Sequence, residues 1–188
     1  MSWSTAQIEE KASQLLSSPA FQSTPVDVIG VATSLGINVA ARAMEDQASG
    51  MLVIKGSESF IIYNALHHPN RQRFTVAHEI GHFVLHHKQA GDRLFVDEKF
   101  ATYQRAGAST SLVYTADEST TSPQEEREAN QFASALLIPR TRLQTYLESR
   151  HLAELDDYDL GNLAKAFGVS EQAMSLRATR LKLIQLTE

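Results

Sequence analysis

The stretch Phe74-Thr75-Val76-Ala77-His78-Glu79-Ile80-Gly81-His82-Phe83-Val84-Leu85 constrains this chain more than any other. At about 100° per residue, Phe74, Ala77, His78, Gly81, His82 and Leu85 fall on one narrow stripe, the face a helix turns toward a core. Both histidines therefore point inward. Four residues apart, their imidazoles stack one turn above the other, as two ligands of a single tetrahedral metal must. Glu79 lies to one side of the pair, placed for water rather than for the metal, which is the position of a general base. A core helix with two satisfied histidines is the plainer reading. Two inward imidazoles beside a glutamate need buried partners, however, and one metal supplies them together. Gly81 removes a side chain where another element must approach the helix closely.

The chain has no cysteine, so any metal ligands come from His, Glu or Asp, and a reducing compartment is the natural home. With 188 residues and 43% hydrophobic content it can bury one full core with a small appendage. The first residues carry neither the basic nor the apolar region of a signal peptide, and no apolar run reaches membrane-spanning length. A cytoplasmic location is expected. A formal charge of −5 argues against a general nucleic-acid binder.

Ser4 with Gln7 predicts a capped first helix, in which Ile8, Ala12, Leu15 and Leu16 recur at helical spacing. Pro25 is expected to open a second, with Val28, Ile29, Ala32 and Leu35 inward and Gly36 at its end. The apolar runs 37–43, 50–55 and 60–64 read as strands of a small sheet, one edge of which is able to hold an extended peptide. Asn70 is the expected cap of the histidine helix. His67 and His68 read as loop residues, and His86, one turn beyond His82, as packing or support. Leu85 and Lys88 stand where a metzincin needs glycine and histidine, so a third ligand must lie elsewhere. The stretch 90–122, with short apolar pieces at 94–96 and 112–114, resists assignment and is long enough to rim a cleft. Tyr63, Tyr103 and Tyr114 are candidate hydrogen-bond donors to an oxyanion, though packing accounts for each as well.

Ser122-Pro123-Gln124-Glu125-Glu126-Arg127-Glu128-Ala129-Asn130 is the second informative stretch. Ser122 as N-cap, Pro123 at the first helical position and Glu125 three after the cap form a capping box. Ala129, Phe132, Ala133, Leu136 and Leu137 mark the buried stripe, with Glu126 close to it and Glu128 turned toward solvent. Glu126 is the best-placed carboxylate for a metal, and Glu125 stays in reserve. Asn130, four beyond Glu126, is placed to orient a ligand with its amide. A solvated acidic first turn, complementing the helix dipole, is the competing account of these glutamates.

Pro139 starts another helix, through Leu143 and Leu147, and His151 after it reads as a surface residue. Leu160 to Phe167, Gly168, Ser170 and the apolar positions to Leu183 then outline a helix-turn-helix. Glu171 opens the would-be recognition helix, and residues 151–188 hold four Lys/Arg against six Asp/Glu. DNA contact would fall to Arg177, Arg180 and Lys182, so a packing or partner-binding hairpin is the favoured reading.

Together these motifs resemble the ImmA/IrrE family of bacterial and phage metallopeptidases. The resemblance rests on 73–82, on 126–133 with Leu136-Leu137-Ile138-Pro139, and on 163–170, and covers roughly residues 25–180. It implies a gluzincin-like α+β domain over 1–150, with a small antiparallel or mixed sheet packed on the metal helix, and a helical extension over 151–188. It also implies Zn2+, or another divalent ion such as Mn2+, held by His78, His82 and Glu126, with Glu79 as the catalytic base. Family members act on or with helix-turn-helix repressors of the XRE type. The expectation is therefore an endopeptidase that cuts such a regulator, with no direct DNA or membrane binding. A regulator-binding module with structural zinc, an antirepressor or toxin–antitoxin partner, is the alternative.

Overall fold

The computed structural model describes residues 2–44, 49–87, 93–96, 121–150, 152, 154–183 and 185–186. Tyr103, Tyr114, His151 and most of the 90–122 stretch lie outside them. The fold is α+β. In chain order come α1 (Thr5–Leu15), α2 (Val28–Ser34), β1 (Ile37–Arg42), β2 (Gly50–Lys55), β3 (Glu58–Asn64) and α3 (Pro69–His82). A π turn (Phe83–His87), β4 (Arg93–Val96), α4 (Pro123–Leu137), α5 (Arg140–Ser149), β5 (Glu154–Leu155), α6 (Asp157–Phe167), α7 (Glu171–Leu181) and β6 (Gln185–Leu186) follow.

Four strands form a mixed sheet in the order β1-β3-β2-β4, with β1 parallel to β3 and the other two pairings antiparallel. Leu52 lies opposite Ile61 on one side and Phe95 on the other. Alternation along β2 and β3 turns Leu52, Ile54 and Ile61 into the core, where α3 packs on the sheet. On its other flank α3 meets α4, and α1 lies across α4. The short β4 falls within the stretch the sequence left unassigned, because four residues are too few for a strand pattern to stand out.

The capping box of α1 forms as expected, Ser4 and Gln7 binding each other's backbone amides. The second helix differs from expectation. Asp27 caps it through the Gly30 amide, Val28, Val31 and Ala32 are its buried residues, and Ile29 is exposed. His68, not Asn70, caps α3, its Nδ1 accepting the Asn70 amide at 3.2 Å. The Asn70 side chain turns away and donates to the Val169 carbonyl at 2.8 Å, while Arg73 Nε donates to the Gly168 carbonyl at 3.1 Å. The turn between α6 and α7 is thereby stitched to the first turn of α3. Gly168 ends α6 at φ 63, the left-handed conformation that frees the helix end without steric cost.

One apolar core runs from Ile8 and Ala12 in α1, through Ala77, Ile80, Phe132 and Leu136, to Phe167, Met174 and Ala178. Arg177 of α7 sits within this frame, 2% exposed. Its Nε donates to the Ile138 carbonyl at 3.0 Å, and its terminal nitrogens grip the Glu9 carboxylate of α1, Nη2 at 2.8 Å. The guanidinium is thus committed inside the protein. It does not reach a phosphate, which removes one of the three cations on which a DNA reading of α7 depended. Among the described residues, no helix is long and apolar enough to cross a membrane.

Candidate metal centre

The site forms where α3 and α4 touch most closely. A Cβ on Gly81 would meet the Ala129 Cα and carbonyl oxygen at 3.1 Å and the Phe132 Cβ at 3.2 Å, inside ordinary van der Waals range. With hydrogen in that place, α4 approaches until its first turn lies against the histidines. Ser122 and Glu125 close their capping box, the Ser122 Oγ accepting the Glu125 amide at 3.2 Å and Glu125 Oε2 the Ser122 amide at 2.7 Å. Capping thus occupies Glu125 and leaves Glu126 to face α3.

His78 Nε2 and His82 Nε2 stand 3.0 Å apart, His78 Nε2 is 3.3 Å from Glu126 Oε2, and His82 Nε2 is 3.1 Å from Glu126 Oε1. Tetrahedral bonds of the length zinc-type ions make to nitrogen and oxygen put donor atoms about 3.3 Å apart. The three side chains therefore fit a small divalent ion, and they are the ligand set that could hold one among the described residues. Access differs around the triangle, with the His82 side chain 3% exposed, His78 12% and Glu126 34%. The buried side anchors the imidazoles, and the Glu126 side opens outward.

Two contacts orient the donors. Asn130 Oδ1 lies 3.1 Å from His78 Nδ1, and because a carbonyl oxygen can only accept, the imidazole donates there and keeps Nε2 aimed at the centre. Thr121 Oγ1 donates to Glu126 Oε1 at 2.5 Å. Burial alone would raise the Glu126 carboxyl, but its polar contacts with His78, His82 and Thr121 outweigh it and hold the group well below the usual carboxylate range. Glu79, beside His78 on α3, is 3% exposed, so it is a buried residue and not a surface carboxylate.

Glu128 corrects the helical-wheel reading. It is 5% exposed, not turned to solvent, and its carboxylate accepts the Trp3 amide at 2.9 Å and the Gln124 side chain at 2.9 Å. Its Oε2 is 3.4 Å from His86 Nε2. Burial pushes the Glu128 carboxyl up, but the bonds from Gln124 and Trp3, helped by His86 and Ser2, bring it below its ordinary value. Its place four residues before the fully buried Phe132 was the available sign. His86 joins Glu128 because the π turn after His82 adds a residue to the helical repeat and rotates the next histidine out of line. The His82 and His86 rings are 6.1 Å apart, against 4.6 Å for His78 and His82. Thr121, the donor to Glu126, was also missed, since nothing but its place before the Ser122 cap marks it. Tyr63 lies in β3.

Two histidines one helical turn apart, a glutamate from a second helix and a buried glutamate between the histidines, all on an α+β scaffold, define a metallopeptidase-like domain. The sequence profile of the IrrE N-terminal-like domain, Peptidase M78, matches residues 32–179, and the chain belongs to that family. No curated protein matches it.

Proposed function

We propose that this chain is a zinc-dependent endopeptidase in which His78, His82 and Glu126 hold the metal and Glu79 is the general base. The observation that carries the reading is the triangle of donor atoms at 3.0, 3.1 and 3.3 Å, matched to one small cation. Bound there, the metal supplies Lewis acidity, acidifying water and polarising a carbonyl. Glu79 takes the proton of the attacking water and passes it to the departing amine. Asn130 holds His78 in the tautomer that leaves the Nε2 lone pair free for the metal. Burial of His82 and Glu79 keeps bulk water from their side of the site, while the half-open Glu126 side admits the peptide.

The substrate in this reading is an intracellular regulator of transcription, a helix-turn-helix repressor of the XRE type, and its support is the resemblance of the three motifs to ImmA/IrrE proteins. Two measurements test the proposal. Metal analysis should find roughly one zinc per chain, lost in His78→Ala, His82→Ala and Glu126→Ala but retained in Glu79→Gln. Intact mass spectrometry of an XRE-type repressor from the same genome, co-expressed with this chain, should give two fragments with wild type and none with Glu79→Gln. An intact repressor with zinc-loaded wild type would remove the substrate assignment, and zinc retained by the histidine variants would remove the site.

A further inference from the structure

Two cavities of about 360 and 390 Å³ lie side by side and share Phe74, Leu137, Val169 and Ala173. Together they make one groove between the N-terminal half of α3, the outer face of α4 and α7. It adjoins the metal centre at one end: Asn130 lines it while bonding His78, and the Phe74 ring is 6.2 Å from the His78 ring. Leu176, 61% exposed, also lines it. The floor is apolar and the rim basic. Arg127 and Arg180 on the rim are exposed, and among the described residues no Asp or Glu lines either cavity. This sign is local, since the whole chain carries a formal charge of −5.

A groove that starts at the reacting centre, with an apolar floor and a basic rim, is complementary to a polypeptide whose apolar side chains alternate with carboxylates. Resting on the peptidase reading above, we infer that this groove seats an acidic, apolar segment of the protein substrate outside the scissile bond. Its apolar side chains lie on Phe74, Ala173 and Leu176, and its carboxylates meet Arg127 and Arg180. DNA fits less well, because a duplex offers no apolar side chains for the floor and Arg177 is committed to Glu9 and Ile138.

The test uses the full-length, zinc-loaded Glu79→Gln protein and two fluorescein-labelled peptides of one leucine-containing sequence, with Asp and Glu at the flanking positions in one and Lys in the other. Fluorescence anisotropy should show the acidic peptide bound about ten-fold more tightly, the sum of two exposed ion pairs, with the difference shrinking as salt is added. The double variant Arg127→Gln/Arg180→Glu, at exposed positions that leave the fold intact, should abolish the difference. Ala173→Trp, which fills the groove, should weaken both peptides. Equal affinities, no binding of either peptide, or an acidic preference that survives the double variant would overturn the inference. So would a concentration-dependent dimer broken by Leu176→Glu, which would make a second copy the occupant, or displacement of the acidic peptide by an equimolar DNA duplex. Binding is read without turnover, so failure of the peptidase reading shows separately, as identical cleavage patterns from wild type and Glu79→Gln.

Discussion

Gly81→Ala adds one methyl group at the contact that brings the two halves of the candidate metal centre together. The added Cβ would lie 3.1 Å from backbone atoms of Ala129 and 3.2 Å from the Phe132 Cβ, where carbon contacts prefer about 3.5–4.0 Å. None of these atoms is the end of a flexible side chain, so relief requires α3 and α4 to part by about 0.5 Å. Alanine in a helix interior gains about 1 kcal/mol over glycine, and overpacking costs about 1–3 kcal/mol. The net is a loss of about 1 kcal/mol of fold stability. Metal binding should suffer more. The same helix separation sets the 3.3 and 3.1 Å distances from the imidazoles to Glu126, and metal sites tolerate only about 0.2 Å of error in bond length. Zinc affinity is expected to fall about ten-fold, at the lower end of what a disturbed ligand support costs. Gly161 in α6 provides the control: a Cβ there meets only the carboxylate end of Glu171, at 3.2 Å. Gly161→Ala should therefore stabilise by about 0.5–1 kcal/mol and leave the metal alone. Urea unfolding of the metal-free proteins and zinc competition against a chromophoric chelator measure both effects. If Gly81→Ala matches Gly161→Ala in stability and binds zinc like wild type, the close approach does not set the ligand geometry and the reasoning fails.

Asn130→Ala should weaken zinc binding about 10–100-fold by calorimetry without a comparable loss of stability, and unchanged affinity would mean that the His78 tautomer is fixed by something else. Arg177→Ala should cost about 3 kcal/mol in urea unfolding, since it strands the Glu9 carboxylate and the Ile138 carbonyl; a loss under about 1 kcal/mol would make that network incidental. Trp3→Phe keeps an aromatic ring but removes the Nε1 donor that bonds the Leu85 carbonyl at 2.9 Å. It should cost about 1 kcal/mol and speed amide exchange in the π turn. Unaltered exchange there would show that residue 3 does not brace the turn.

The parts of the fold legible in the sequence are those whose causes lie within one helical repeat. The Ser122–Glu125 box, the His78–His82 spacing and the stripe from Ala129 to Leu137 each use partners three or four residues away, and the structure holds all three. The elements that went unread depend on partners far along the chain. Glu128 is buried because Trp3 donates to it across 125 residues, and a helical wheel does not hold that amide. Asn70 has a good capping side chain, but the Val169 carbonyl, 99 residues away, takes its amide, and the neighbouring His68 caps instead. Arg177 looks like a surface cation of a recognition helix until Glu9, 168 residues earlier, closes on it. In each case a local rule named a group with the right chemistry and tertiary structure gave that group a different partner.

These long-range contacts brace the elements that carry the candidate site. Four charged or amide side chains of one α4 segment divide the work by the direction each faces: Glu125 closes the cap, Glu126 faces the histidines, Glu128 takes the N-terminal segment and Asn130 steadies His78. None can trade places with its neighbour, because a step of one residue turns a side chain by about 100°. The π turn that follows His82 leaves backbone groups with altered partners, and the Trp3 indole bonds one of its carbonyls, that of Leu85. The same residue's amide bonds Glu128, so a single tryptophan ties the end of α3 to the start of α4. At the other end of α3, Asn70 and Arg73 bond the carbonyls of the α6–α7 turn, and Arg177 carries that connection on to α1. The helix that bears both histidines is thus held at each end by segments that contribute nothing to the donor triangle. Donor atoms placed within a few tenths of an ångström require support of this kind, because two helices joined only through apolar contact slide against each other more readily than hydrogen-bonded ones.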